Sequence, residues 1–243
     1  MQKSALAKKL ITNMDLTSLN LDDTEKEITS LCQKAQTPYG NVRAVCVYSQ
    51  FVTLAKDSLK NTGISVATVI NFPQGGSDIA STKEQLSNAA NHGAEEIDAV
   101  FPYNDFLGGN IDICKKFLET ITKDKENKKI KVILESGAYK NAEQLKSACL
   151  LCLDYDIDFL KTSTGKTSVS ATPEAAAIIL NCIKEKNQSV GFKASGGIKT
   201  FEQSATYYDL CRQIVGENWP TPEHFRIGAS SLLNNLLQTV QEG

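Results

Sequence analysis

Apolar runs of strand length recur along the chain and alternate with segments whose apolar residues repeat at helical spacing. Several runs, among them residues 66–70 and 132–134, show little alternation of polar and apolar positions, which is typical of parallel strands covered on both faces. Their mean spacing is about 30 residues, the length of one βα unit. The eight runs that we predict to be strands are Met14–Leu16, Ala44–Tyr48, Ser65–Ile70, Glu96–Val100, Ile130–Leu134, Asp158–Lys161, Val190–Lys193 and Phe225–Ile227.

The segments between these runs predict helices. Residues 24–36 carry apolar positions on one face, with Asp22 and Asp23 as candidate N-caps, and Thr172 caps a helix that has Pro173 at its first position. The other predicted helices span residues 77–92, 141–155, 175–186 and 230–241. This alternation predicts an α/β protein, a single-domain (β/α)8 TIM barrel over residues 1–243. The alternative, an open doubly wound sheet, normally carries a glycine-rich fingerprint after its first strand, and this sequence has none there.

Composition and charge narrow the class of protein. The chain is 41% apolar and 22% charged, with a net charge of −2 and no basic stripe, so we expect neither nucleic acid nor a membrane surface as partner. It has no apolar segment of transmembrane length, and the basic N-terminus lacks the apolar core of a signal peptide, so we expect a cytoplasmic protein. The seven cysteines predict free thiols. Cys149 and Cys152 form a C-x-x-C inside a helical pattern, which favours core packing over redox or metal use.

Charged residues interrupt three apolar runs where predicted strands open into loops. Asp98 lies on the fourth predicted strand, Lys161 on the sixth and Lys193 on the seventh, at the barrel edge where active sites form. Adjacent strands lie about 4.8 Å apart, so two inward lysines disfavour each other's charge, and burial adds to the effect. One lysine should then be a neutral nucleophile for a carbonyl carbon, with Asp98 as acid or base. The alternative for a lysine at a strand end is a solvated rim residue, which is our prediction for Lys56 and Lys131.

Two loops of small residues suggest an anion site. Gly196 and Gly197 follow the seventh predicted strand, and residues 228–231 (Gly-Ala-Ser-Ser) follow the eighth and open the last helix. Loops at these two positions form the usual phosphate cradle of the fold. Lys166, after Gly165, can add a point charge. The alternative for the serines is ordinary N-capping.

Residues 164–168 (Thr-Gly-Lys-Thr-Ser) also imitate a nucleotide P-loop. That motif requires a glycine five positions before its Gly-Lys pair, and Leu160 stands there. The sequence therefore argues against nucleotide hydrolysis.

Several segments carry a more specific pattern. They are Met14–Thr17, Asn71–Pro73, Asp98 with Val100–Tyr103, Phe159–Lys166, Ala171–Glu174, Gly191–Lys193 with Gly196–Gly197, and Phe225–Leu232. Together they resemble the deoxyribose-phosphate aldolase family, a group of class I, Schiff-base-forming (β/α)8 aldolases. The match runs over nearly the whole chain, and Lys-Thr-Ser-Thr-Gly-Lys and Gly-Phe-Lys-x-x-Gly-Gly are its most specific elements.

The resemblance implies roles for individual residues. Lys161 matches the Schiff-base lysine, and Lys193 the second lysine, which lowers the pKa of the first and takes part in proton transfer. Asp98 matches the aspartate of a water-mediated proton relay, and Asp15 a supporting acid. Cys46 matches a non-catalytic thiol near the pocket. The remaining residues that the resemblance implies for substrate or phosphate binding are Thr17, Thr164, Gly165, Lys166, Gly196, Gly197, Gly228, Ser230 and Ser231.

The implied reaction is the reversible cleavage of 2-deoxy-D-ribose 5-phosphate into acetaldehyde and D-glyceraldehyde 3-phosphate, in deoxyribonucleotide catabolism. It needs a small phosphosugar as substrate and neither metal nor cofactor, and the chain could act as a homodimer. The alternatives are another Schiff-base phosphosugar aldolase, a sugar-phosphate isomerase with a carboxylate base, or a non-catalytic phosphosugar-binding protein.

One departure concerns the C-terminus. Some family members carry a longer tail whose terminal tyrosine reaches the active site, whereas this sequence ends at Gly243. We therefore expect that group to be missing, and proton transfer at C2 of the substrate to be slower or served by water.

Overall fold

The fold is a closed barrel of eight parallel strands. A computed structural model describes residues 2–123, 125, 127–186 and 189–242. The strands pair in sequence order, and β8 closes the barrel on β1. The predicted (β/α)8 fold is confirmed. The strands are β1 (Met14–Thr17), β2 (Ala44–Cys46), β3 (Ser65–Ile70), β4 (Glu96–Val100), β5 (Lys129–Ile133), β6 (Phe159–Lys161), β7 (Gly191–Ser195) and β8 (Phe225–Ala229).

Helices surround the barrel, and the apolar core lies between their inner faces and the outer faces of the strands. The first helix precedes β1 and packs against the last. The helices are α1 (Lys3–Thr12), α2 (Glu25–Lys34), α3 (Val52–Ser58), α4 (Ile79–Asn91), α5 (Tyr103–Leu107), α6 (Ile111–Lys123), α7 (Ala142–Cys152), α8 (Pro173–Lys186), α9 (Phe201–Ile214) and α10 (Leu232–Glu242), with short 3₁₀ turns at Ser49–Phe51 and Ser136–Ala138.

The N-terminus of α2 differs from the prediction. Thr24, and neither Asp22 nor Asp23, is the N-cap, because its hydroxyl accepts the Glu27 N–H while the Glu27 carboxylate accepts the Thr24 N–H. The Asp23 carboxylate instead accepts hydrogen bonds within the preceding loop, from the Ser18 hydroxyl and the Asn20 N–H.

The cysteines are buried free thiols, as predicted. Cys149 and Cys152 both lie on the buried face of α7, which confirms their packing in the core. Within the ranges that the structure describes, none of the helices has both the length and the apolar character needed to cross a bilayer.

The strand register determines which charged residues meet inside the barrel. Lys161 on β6 is the Cα partner of Lys193 on β7, which confirms that the two lysines lie on neighbouring strands. Lys193 in turn is level with Arg226 on β8, and Asp98 on β4 is level with Lys131 on β5. Paired residues of neighbouring parallel strands point to the same face of the sheet, so this register brings their side chains together inside the barrel.

Candidate active site

The interior of the barrel holds a cluster of ionisable side chains, which we name the charge cluster. Each member is at most 4% exposed, and charges are buried to this degree only when they are paired. The charge cluster consists of Asp15, Glu96, Asp98, Lys131, Lys161, Lys193 and Arg226.

Asp98 accepts hydrogen bonds from all three lysines of the charge cluster. Its Oδ2 accepts hydrogen bonds from Lys161 Nζ at 2.7 Å and from Lys193 Nζ at 2.8 Å. Its Oδ1 accepts one from Lys131 Nζ at 2.7 Å. Three ammonium groups therefore share one carboxylate.

Asp15 and Glu96 complete the charge cluster. Lys193 Nζ lies 2.5 Å from Asp15 Oδ2, and Arg226 donates to Asp15 Oδ1 at 2.7 Å. Arg226 also binds both oxygens of Glu96, at 3.1 and 3.2 Å, and Lys131 Nζ lies 2.8 Å from Glu96. Lys193 thus has two carboxylate partners, whereas Lys161 is paired with Asp98 alone among the described residues.

The charge cluster contains four basic and three acidic side chains, so it carries one excess positive charge if all are ionised. Burial is the largest factor that lowers the pKa of Lys161, and the ammonium of Lys193 lowers it further. Asp98 opposes the shift without cancelling it. Lys161 is therefore the lysine of the charge cluster that loses its proton most readily, which makes it the candidate nucleophile.

The other members of the charge cluster remain charged. Burial would lower the pKa of Lys193, but Asp15 and Asp98 outweigh burial and raise it above the ordinary value. Burial would raise the pKa of Asp98, but Lys131, Lys161 and Lys193 hold it well below the usual range. Asp98 is therefore a carboxylate and Lys193 an ammonium, and both lie beside Lys161, the lysine whose pKa is lowered.

The prediction that Lys131 is a solvated rim residue is wrong. Its side chain is fully buried, because the barrel interior at this level is ionic and offers it Asp98 and Glu96 as partners. Sequence reasoning also missed Glu96 and Arg226. Glu96 lies two residues before Asp98 and therefore on the same side of β4, which was the available signal.

A cleft of about 190 Å³ opens above Lys161 at the carboxyl ends of the strands. It gathers the residues predicted for phosphate binding with loop residues that the sequence had not singled out. The cleft is lined by Thr17, Ser18, Leu19, Asn20, Lys161, Thr164, Gly165, Lys166, Ser195, Gly196, Gly197, Ile198, Lys199, Gly228, Ala229, Ser230 and Ser231.

Two glycines make the rim of this cleft compact. Gly165 (φ +77°) and Gly196 (φ +89°) pack backbone to backbone, and a Cβ on Gly196 would lie 2.6 Å from the Ser170 side chain. The Lys166 ammonium crosses the cleft and donates to the Leu19 carbonyl oxygen at 2.7 Å. This end of the cleft offers the Lys166 ammonium, exposed hydroxyls at Ser230 and Ser231, and backbone that a ligand can approach closely.

Of the other residues predicted for substrate binding, Thr17 and Thr164 line the cleft, whereas Cys46 is not among its lining residues. The Thr17 hydroxyl donates to the Asp15 carbonyl oxygen, and the Thr164 hydroxyl donates to the Glu135 carboxylate. Cys46 is fully buried at the end of β2 in a small apolar cluster. Burial, with Asp98 as a smaller contribution, raises the pKa of its thiol to about 11, so it is protonated near neutral pH.

Comparison with solved structures supports the architecture. A structure from Coccidioides immitis, provisionally named a deoxyribose-phosphate aldolase, is 26% identical, with a TM-score of 0.84 over 96% of this chain and 86% of that one. A protein named QR15, an aldolase, is 27% identical, with a TM-score of 0.82 over 96% of each chain. The tetrameric deoxyribose phosphate aldolase of Aeropyrum pernix is 22% identical, with a TM-score of 0.78 over 99% and 96%, and shares the fold.

The sequence itself matches a family model. Residues 9–237 match the model for DeoC/LacD family aldolases, which spans nearly the whole barrel. This match confirms the resemblance found in the sequence. The chain therefore belongs to the DeoC/LacD family of aldolases and is a carbon–carbon lyase of the class I aldolase type.

Proposed function

We propose that the protein catalyses the reversible cleavage of 2-deoxy-D-ribose 5-phosphate into acetaldehyde and D-glyceraldehyde 3-phosphate through a Schiff base on Lys161. One observation carries the proposal. Lys161 has a lowered pKa, donates to Asp98 within the charge cluster, and lines a cleft whose rim holds Lys166 and the glycine–serine loops. A lowered pKa makes a lysine nucleophilic near neutral pH.

The first half of the reaction activates the substrate. The neutral Lys161 amine adds to C1 of the open-chain aldehyde, and loss of water gives a protonated imine. This imine withdraws electrons from the C2–C3 bond. The Asp98 carboxylate, acting through water, accepts the C3 hydroxyl proton, and the C2–C3 bond breaks to release D-glyceraldehyde 3-phosphate and leave an enamine.

The second half returns the amine. The enamine takes a proton at C2, and water then hydrolyses the resulting imine to acetaldehyde and free Lys161. The Lys193 ammonium, 2.8 Å from Asp98, supplies protons through the carboxylate and keeps positive charge beside the imine site. Asp15 holds that ammonium in place from the other side.

The phosphate end contributes binding energy remote from the reacting carbons. A phosphate at the rim would draw the Lys166 ammonium from the neutral Leu19 carbonyl, because a charged acceptor binds more strongly. It would also accept hydrogen bonds from the loops at Gly196–Gly197 and Gly228–Ser231. Anchoring one end of the sugar phosphate positions C1 at Lys161.

A substrate panel tests this proposal. Purified protein is incubated with 2-deoxy-D-ribose 5-phosphate, with ketose phosphates and with aldose phosphates, and the products are identified by mass spectrometry. We expect cleavage of the deoxyribose phosphate, unchanged by a chelator. Activity confined to a ketose phosphate would indicate a different aldolase, isomerised product an isomerase, and ligand binding without turnover a binding protein. Loss of activity that zinc restores would contradict the metal-free reaction.

A further inference from the structure

Glu135 is a buried carboxylate outside the charge cluster. It follows β5 by two residues and precedes the 3₁₀ turn Ser136–Ala138. Its backbone has φ +53° and ψ +60°, the left-handed conformation, and its side chain is fully buried. A non-glycine residue held in this conformation costs about 1 kcal/mol or more and persists only where surrounding contacts impose it.

Three donors on one loop bind the Glu135 side chain. The Glu135 carboxylate accepts hydrogen bonds from the Thr164 hydroxyl at 2.5 Å, from the Thr164 N–H at 3.3 Å and from the Thr167 hydroxyl at 3.1 Å. The oxygen of the Thr164 hydroxyl in turn accepts the Lys166 N–H at 3.1 Å. The carboxylate therefore reaches the Lys166 backbone through one hydroxyl.

The loop that these bonds hold, residues 162–169, connects the two ends of the cleft. It begins directly after Lys161 and contains Gly165 and Lys166. The residues beside Glu135 hold the same loop, since the Ser136 N–H donates to the Thr162 carbonyl at 2.8 Å and Gly137 packs against Val169. The Glu135 side chain is buried and is not among the residues that line the cleft, whereas Lys166 lines it.

We propose that Glu135 is a positioning residue that holds the loop 162–169 at the distance from Lys161 that a phosphorylated substrate requires, and so favours phosphorylated over unphosphorylated sugars. This inference rests on the proposed function. Its basis is that this loop connects Lys161, at the end of β6, to Lys166 at the rim of the cleft, so the conformation of the loop determines the distance between the two amines. Hydrogen bonds to a carboxylate are stronger than those between neutral groups, and the Glu135 carboxylate accepts three.

The test compares Glu135→Ala and Glu135→Gln with the wild-type protein and with Glu143→Gln, an exposed carboxylate change on α7. Glu135→Gln keeps the side-chain volume and one acceptor oxygen, so it also serves if the alanine variant does not fold. Steady-state kinetics are measured with 2-deoxy-D-ribose 5-phosphate and with 2-deoxy-D-ribose. Borohydride trapping of acetaldehyde measures the Lys161 amine independently of phosphate.

We expect KM for the phosphorylated sugar to rise about tenfold or more in both Glu135 variants, the effect of losing a hydrogen bond to a charged group. Acetaldehyde trapping and kcat/KM for the unphosphorylated sugar should stay within about threefold of wild type, as should all values for Glu143→Gln. An unchanged KM, or an equal fall with both sugars and in trapping, would overturn the positioning role. If wild-type protein itself neither traps acetaldehyde nor cleaves the phosphorylated sugar, the proposed function fails instead.

Discussion

Lys161 and Lys193 share a single oxygen atom, Asp98 Oδ2, at 2.7 and 2.8 Å from their respective ammonium nitrogens. The sharing is unequal, because Lys193 has Asp15 as a second partner. The proton therefore stays on Lys193 and leaves Lys161 more readily. This difference supports the proposal that Lys161 is the nucleophile and that Lys193 stays a cation.

Replacing the nucleophile tests its assignment. Lys161→Leu should fold, because Asp98 keeps Lys131 and Lys193 as cationic partners when Lys161 is removed. It should lack measurable cleavage, because no amine remains to form the imine. Lys56→Leu, which removes a lysine half-exposed at the surface, is the control and should retain activity. More than a trace of turnover by folded Lys161→Leu would refute the assignment.

The pH dependence follows from the lowered pKa of Lys161. The amine attacks only when neutral, so the rate of acetaldehyde trapping should rise with pH, with a midpoint below 10.5, the ordinary value for lysine. Lys193→Met removes the neighbouring positive charge. It should therefore raise the pKa of Lys161 and move the rise in trapping rate to higher pH. Lys146→Met, at an exposed surface pair, should leave it unchanged. A pH profile that does not move in Lys193→Met would show that Lys193 does not lower the pKa of Lys161.

The charge cluster also contributes to stability. Arg226→Met removes the partner of Asp15 and Glu96 and leaves buried carboxylates with fewer cations, which costs about 3–5 kcal/mol. Arg43→Met removes an ion pair with the half-exposed Glu223 and should cost about 1 kcal/mol or less. Urea denaturation of both variants measures the difference in unfolding free energy. Equal costs would mean that Arg226 is not a significant partner within the charge cluster.

Gly228 leaves room for Lys193. A Cβ at this position would lie 2.9 Å from Lys193 Cε and 3.0 Å from Ser195 Cβ, so Gly228→Ala should push the ammonium away from Asp98 and Asp15. We expect kcat to fall about tenfold or more, because small displacements of catalytic groups are costly. Gly216→Ala, where a Cβ meets nothing within 4 Å, is the matched control. Wild-type kcat in folded Gly228→Ala would show that Lys193 tolerates the displacement.

The sequence was sufficient to predict the barrel, because buried parallel strands appear in it as uninterrupted apolar runs. These runs recur at the spacing of one βα unit. It also located Asp98, Lys161 and Lys193, whose charges stand at the ends of such runs. Glu96, Lys131 and Arg226 were not predicted as members of the charge cluster, because an isolated charge in a strand is usually a solvent-facing residue. Only the register, which sets Lys131 level with Asp98, shows that the interior supplies its partners.

Glu135 illustrates a second limit. Its sequence context, Val-Ile-Leu-Glu-Ser-Gly, marks the end of a strand, but its partners lie 29 and 32 residues further along the chain. A hydrogen bond between two loops depends on how closely β5 and β6 bring them together. No local pattern contains that information.

The most direct test of the account is borohydride trapping of wild-type protein with acetaldehyde, followed by peptide mass mapping. The account predicts a reduced two-carbon adduct on Lys161 and on no other lysine of the charge cluster. An adduct on Lys193 would exchange the roles of the two lysines. A folded protein that forms no adduct at all would contradict the Schiff-base mechanism.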